Sequence, residues 1–304
     1  MPVSLAQIRD LLLPGLYAVT GDYPQLPRVW SKLYKTRKSN MALERLASMR
    51  YLSVAAIKTE GGTTTFDNQS GQRYIYNIEH DEIGLGFAIT RKAIDDNLYK
   101  TEFGPSAMGL RDAFLRFEEV RAADVINSAT TYNANVGGDG KALAATDHPV
   151  DSGTFSNLAS PAVSLNETSL LTAQVAINAD FRDNANQRMN AKPRMLLIPP
   201  QLEPTAIRLL KTELRPGTAN NDVNAILSTQ GGVPQGYQVW NYLTSQYGWQ
   251  LLTDQDGLIH MERVPFETDM SVEFTTDNLL VKGYQRDSFG YNDPRCGYFS
   301  RPSA

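Results

Sequence analysis

The sequence predicts an α+β fold, and three observations predict it. Apolar residues recur at helical spacing from 106 to 128 and from 164 to 181. Short runs rich in β-branched and aromatic residues, bounded by turn residues, fill 54–90 and 238–289. Between them an apolar run, Arg194 to Ile198, is cut by Pro199-Pro200 and restarts at helical spacing through Leu202, Ala206, Leu209 and Leu210. Proline is tolerated in the first turn of a helix, so this reads as strand, tight break, helix.

The 304 residues suffice for one large or two ordinary domains. No apolar run approaches the roughly 20 residues needed to cross a bilayer, and no signal-peptide pattern opens the chain. The single Cys296 excludes an intrachain disulfide framework and any multi-cysteine metal site, as expected of folding in a reducing cytoplasm.

Taken in order, Ser4 and Gln7 stand at capping-box spacing ahead of Leu5, Ile8, Leu11 and Leu12, so a short helix is expected to stop at Pro14-Gly15. Residues 14–40 scatter Tyr17, Tyr23, Trp30 and Tyr34 among Pro14, Pro24 and Pro27. That composition suits an extended tether whose rings need another surface to cover them. Residues 1–50 also hold eight Lys or Arg against three Asp or Glu, a basic arm on an acidic body. Its densest part, Lys32, Lys35, Arg37 and Lys38, suits an acidic neighbouring protein surface, nucleic acid or plain solvation. The acidic remainder argues against a dedicated DNA reader, which grips phosphates with a basic surface.

From Val54 to Thr90 the pattern predicts a long hairpin, Thr63–Phe66 against Arg73–Ile78 across the turn Asp67–Gly71. Arms of about ten residues reach roughly 33 Å, further than a hairpin packed wholly on its own domain needs. The longest helical signal spans Ser106 to Ser128, with Leu110, Ala113, Phe114, Phe117, Val120 and Ala123 on the expected buried stripe. A loop rich in Asn and Gly follows at Tyr132–Gly140, overlapping a glycine-punctuated loop from Gly137 to Pro149, then a helix expected to be capped by Ser164 with Glu167. Pro216 to Asn224 reads as a turn-rich loop. Strands are expected at Gln238–Leu243, Trp249–Thr253, Leu258–Val264, Met270–Phe274 and Leu279–Phe289.

Catalytic grammar is nearly absent. Three histidines, His80, His148 and His260, lie in unrelated sections and would have to converge to hold a metal. Asp147-His148 could be a base and its orienter in a hydrolase, but no nucleophile elbow accompanies them, and a histidine before Pro149 reads as structural. Gly138–Lys141 fails as a phosphate loop because Ala142 stands where Ser or Thr would bind magnesium. Gly84-Leu85-Gly86 leads into a strand and fails the dinucleotide context. No catalytic residue, cofactor or metal is expected.

Gly138-Asp139-Gly140-Lys141-Ala142-Leu143 followed by Ala145-Thr146-Asp147-His148-Pro149 resembles a loop of the major capsid proteins of tailed bacteriophages, in the Mu-like major head subunit group. Leu196–Glu203 with Ala206 and Arg208–Leu210, then Asn221–Asn224, then Asp293–Arg295 with Tyr298, resemble the same family in the same order. The resemblance is clearest over 80–300. It implies the Hong Kong 97-type capsid fold, with an N-terminal arm (1–50), an extended loop hairpin (51–90) and a peripheral domain with a long spine helix (91–139). An axial domain (140–263) and return strands of the peripheral domain (264–304) follow.

The resemblance further implies a major capsid protein that assembles with itself as hexamers and pentamers into an icosahedral head around double-stranded DNA, formed in the host cytoplasm. A scaffolding protein, a portal and decoration proteins are the implied partners, with the scaffold separate because no long N-terminal scaffolding segment is present. Subunit contacts are expected at Trp30, Lys35, Arg37, Lys38, Asn68, Gln69, Arg73, Tyr74, Tyr76, Arg116 and Glu119. An encapsulin-like cargo shell on the same fold is the alternative.

Overall fold

The computed structural model describes residues 28–302 apart from 65, 68–70, 96–98, 213–223, 225 and 227–231. The helix expected after Ser4, the rings Tyr17 and Tyr23, and all but Asn224 of the Pro216–Asn224 loop lie outside the described residues.

Two four-stranded sheets organise the chain. The first runs β1 (Lys35–Lys38), β10 (Leu258–Val272), β11 (Leu279–Tyr291), β4 (Asp81–Ile89), with β1 parallel to β10 and the other pairs antiparallel. The second runs β12 (Gly297–Ser300), β9 (Trp249–Thr253), β7 (Pro193–Ile198), β8 (Tyr237–Val239). Two-stranded ribbons pair β2 (Leu43–Arg50) with β3 (Gly71–Glu79) and β5 (His148–Val150) with β6 (Gly153–Phe155). Among the described residues the α-helices are α1 (Trp30–Leu33), α2 (Arg91–Asp95), α3 (Tyr99–Asn127), α4 (Glu167–Asp180) and α5 (Glu203–Lys211).

The apolar run Arg194–Ile198 is continuous because β7 is covered on both faces. Leu196 and Ile198 pack with Leu170, Ile177, Phe181 and Ala206 of the α4 and α5 side. Met195 and Leu197 point the other way, to Trp30, Ile126, Trp240 and Phe299, as a two-residue period requires. The paired prolines act as expected. Pro199 is extended, and Pro200 opens a single 3-10 turn that hands over to α5. The cap of α4 differs from expectation. Asn166, not Ser164, accepts from Ser169 N at 2.8 Å while Ser169 Oγ accepts from Asn166 N at 2.9 Å, which starts the helix at Glu167.

Helix α3 is the spine, 29 residues or roughly 43 Å long. Its first half packs Leu110 and Phe114 on Met270, Leu279 and Val281 of the first sheet. Gly283 permits this approach, since a Cβ there would stand 2.9 Å from the Phe114 ring. Its second half sends Ala122, Ala123 and Ile126 into the central core. The buried stripe is rotated from the expected one, leaving Phe117 and Val120 exposed and carrying Glu118 and Glu119 inward. An apolar count places the stripe wrongly because two inward positions are carboxylates with partners: Gln285 Nε2 donates to Glu118 at 2.8 Å, and three donors reach Glu119.

Two further expectations change. Residues 28–38 do not hang free: Trp30, Leu33 and Tyr34 are buried in their own chain, and Tyr34 Oη donates to Ala122 O at 2.7 Å. The expected strands Leu258–Val264 and Met270–Phe274 form the single strand β10, whose register shifts on either side of Val264 accommodate Pro265, a residue without an N–H for the ladder. Strand β10 joins the first sheet from Leu258, and β12 lies in the second.

Glu119 joins arm, spine and second sheet. Its carboxylate accepts from Val29 N at 2.6 Å, Trp30 N at 3.4 Å and Trp240 Nε1 at 2.7 Å. Burial pushes its pKa up, and those donors pull it back. Glu119→Ala strands buried donors and is expected to cost about 2–4 kcal/mol, measured by urea unfolding of the unassembled subunit.

Candidate subunit interface

The β2–β3 ribbon has two unlike faces. Leu46, Tyr74, Tyr76 and Ile78 turn inward, and the Tyr76 ring meets Tyr291 at 5.8 Å between centroids. Gly138, at φ +79, lies against the Tyr76 ring, where a Cβ would come within 2.3 Å of it. The far edge of β3 is closed by the same loop: Asn77 N donates to Val136 O and Gly138 N to Ile75 O, each at 2.8 Å. The opposite face exposes Leu43, Met49 and Ile75. Beyond β2, Tyr51, Leu52, Val54, Ile57 and Phe66 stand out of the chain, Ile57 at 98% and Phe66 at 85% exposure. Exposed large apolar side chains are thus concentrated in one segment and are not scattered singly.

The expected pairing of this hairpin is corrected. Arg73–Ile78 pairs with Leu43–Arg50, not with Thr63–Phe66, so the hairpin begins inside what the sequence reads as the arm. The described residues between Tyr51 and Asp67 form no strand. Alternation along 43–50 is blurred by Arg45 and Arg50, and Ala47 signals neither face.

The expected contact residues separate into groups. Trp30, Tyr76 and Glu119 are buried within their own chain, Trp30 and Glu119 where the arm crosses α3 and Tyr76 against Gly138 and Tyr291. The Trp30 ring meets His260 at a tilt and Phe289 edge-on, with ring centroids 4.5 and 5.2 Å apart. Arg73 binds Asp151 and donates to Asn184 O at 2.8 Å, and Tyr74 Oη donates to Pro149 O at 3.1 Å. On the outside lie Lys35, paired with Asp256 at 2.6 Å, Arg37 and Lys38, all in the edge strand β1. Arg116 is exposed and pairs with Asp112 at 2.6 Å, one turn earlier on the helix. Asn68 and Gln69 lie outside the described residues. The exposed apolar side chains at 43, 49, 54, 57, 66, 117 and 120 escaped the sequence reading. The signal for the loop among them was an apolar run from Tyr51 to Ile57 with no period.

Asp147 and His148 do not pair with each other. His148 is fully buried, its Nδ1 2.7 Å from Asp139 Oδ2 and its Nε2 3.1 Å from Asn157 Oδ1, with Phe155 stacked on the ring. Asp147 is turned away and pairs with Lys141. The glycine-rich motif is a packing device that holds 138–148 under Tyr76.

His80 is the one residue between β3 and β4, and it is buried. Its Nε2 lies 2.8 Å from Ser39 Oγ, which donates to Glu44 Oε1 at 2.6 Å, and its Nδ1 lies 3.0 Å from Ser288 Oγ. Both strands of the ribbon are therefore tied to the first sheet at one imidazole. Burial first, then the Arg263 charge, holds its pKa below 6.5; Arg286 adds to this, while Glu44 and Asp287 oppose it.

A family model described as phage capsid protein matches residues 76–299. No curated protein matches the chain by sequence. The procapsid of bacteriophage JBD30 is similar in structure at 14% identity and TM-score 0.53, over 99% of this chain and 77% of that one. The capsid of the native GTA particle is similar at 13% identity and TM-score 0.53, over 92% and 91%. The virus-like particle from Pyrococcus furiosus is similar at 8% identity and TM-score 0.53, over 97% and 99%. At such identities the likeness is one of fold, the Hong Kong 97-type capsid fold.

The unfolded chain binds the His80 proton at higher pH than the folded one does, so stability falls as pH drops below about 6.5. His80→Gln is expected to flatten that acid slope between about pH 6.5 and 5, read from urea midpoints across pH.

Proposed function

The chain belongs to the phage capsid protein family, and we propose that it is the major shell subunit of a tailed-phage head, with hexamers and pentamers closing into an icosahedron around double-stranded DNA. It is a structural protein of the virion capsid, and assembly with its own copies is its activity. The observation that carries the finer reading is the apolar loop 51–66 with the outer ribbon face, a surface that the described chain does not cover. A neighbouring subunit is the occupant, since a shell repeats one surface against another. On this reading the first sheet with α3 is the peripheral domain and the second sheet with α4 and α5 the axial domain. Residues 43–79 are the extended loop.

The net charge of −4 fits a wall along which packed DNA slides without sticking. Scaffolding, portal and decoration proteins are the partners this role calls for, with assembly in the host cytoplasm before the genome enters. The broken Asp147/His148 pair favours a subunit without catalysis. A cargo shell on the same fold would hold a defined protein in place of DNA.

Purified subunit, alone or with its scaffold, is expected to give closed shells of uniform radius in electron micrographs. Monomers under every assembly condition would overturn the reading. Deleting 54–66 is expected to leave a cooperatively folding subunit whose shell yield falls at least tenfold by light scattering, and normal yield would remove the loop from the interface.

A further inference from the structure

Arg50, the last residue of β2, has its side chain only 9% exposed although it stands at the base of an exposed segment that carries Tyr51, Leu52, Val54, Ile57 and Phe66. Every nitrogen of its guanidinium is engaged. NH1 donates to Asp67 Oδ2 at 3.2 Å and to Tyr51 O at 3.2 Å, NH2 to Ser53 Oγ at 3.3 Å, and Nε to Asp151 Oδ2. Asp67 in turn accepts from Ser53 N at 2.8 Å and from Ser53 Oγ at 2.7 Å. Ser53 and Asp67 are 14 positions apart, so this knot pinches the outgoing and returning limbs of the loop together.

The second carboxylate leads elsewhere. Asp151 lies in the turn between β5 and β6, and its other oxygen binds Arg73 of β3. Its backbone N–H donates to Asn184 O at 3.3 Å. The Asn184 amide donates back to Ser48 Oγ and Met49 O, each at 2.8 Å, and its oxygen accepts from buried Arg295 at 2.9 Å. A guanidinium offers five donors in a rigid plane, so one side chain can hold two carboxylates at a fixed angle; an ammonium cannot.

We propose that Arg50 is the positioning residue of the intersubunit loop. Through Asp67 it closes the loop at its base, and through Asp151 it sets the direction in which Val54, Ile57 and Phe66 leave the subunit to meet a second copy of this chain. The inference rests on the reading of 51–66 as a subunit contact. It adds that the contact's orientation is built into the free subunit by one buried arginine.

The two roles separate experimentally. Arg50→Lys, which keeps the charge and loses the fork, is expected to speed tryptic cleavage after Lys58 in the unassembled subunit at least fivefold and to lower the yield of closed shells at least tenfold. Asp67→Asn is expected to do the same without touching the buried arginine, which keeps the test open if Arg50→Lys fails to fold. Asp151→Ala is expected to leave cleavage within about twofold of the parent, because the base stays closed, and still to reduce regular shells in electron micrographs. A merely structural role would move cleavage and yield together in all three. Parental yield and radius for Arg50→Lys or Asp67→Asn, beside a loop deletion that does not assemble, would overturn the proposal alone. Normal assembly by the loop deletion would overturn the reading beneath it.

Discussion

One buried carboxylate sets how the parts of this subunit sit against each other. Glu119 accepts hydrogen bonds from the backbone of the arm at Val29 and Trp30 and from the indole of Trp240 beside the second sheet, while its own helix lies on the first. A charge in that position is costly without donors and directional with them. The arm therefore crosses α3 at one place, which lets Lys35–Lys38 continue as the parallel edge strand on β10. It also brings Trp30 against His260 and Phe289.

The same economy appears wherever chemistry might have been sought. His148 spends both ring nitrogens on Asp139 and Asn157, and His260 Nε2 lies 3.3 Å from Asp287, itself bound by Arg121. Cys296 is buried, with its thiol pKa pushed up by that burial and by Asp293. These groups fix loops and strands in register, as a subunit needs if one surface must match its copies many times over. The reactive-looking residues are the mortar, and the exposed apolar residues are those of the outer ribbon face and the loop.

Much of the fold was legible because periodicity reports burial. Trp249–Thr253 and Arg194–Ile198 read as core strands since nearly every residue in them is buried, and 106–128 read as helix from its spacing. The hairpin was misread for the converse reason: Leu43–Arg50 buries one face only partly and puts arginines on both, so its alternation is weak. Ser164 was the expected cap and Asn166 is the actual one, because both are capping residue types in one short stretch and only the backbone turn decides between them. Of the expected contact residues, Arg116 and the β1 cations are outside while Trp30, Tyr76 and Glu119 are inside. An aromatic or a carboxylate carries no local mark of which surface will cover it.

By itself the sequence determined the composition of the elements: an α+β chain with one long spine helix, a proline-broken strand and helix, and no catalytic grammar, because hydrophobic period and proline chemistry are local properties. The tertiary structure decided what each element is pressed against. Docking of the arm on α3, pairing of Gly71–Glu79 with Leu43–Arg50, and the grip of Arg50 on Asp67 and Asp151 join residues up to 101 positions apart. Such pairings depend on which buried donors and acceptors find each other once the core has closed, and no window of sequence contains both partners.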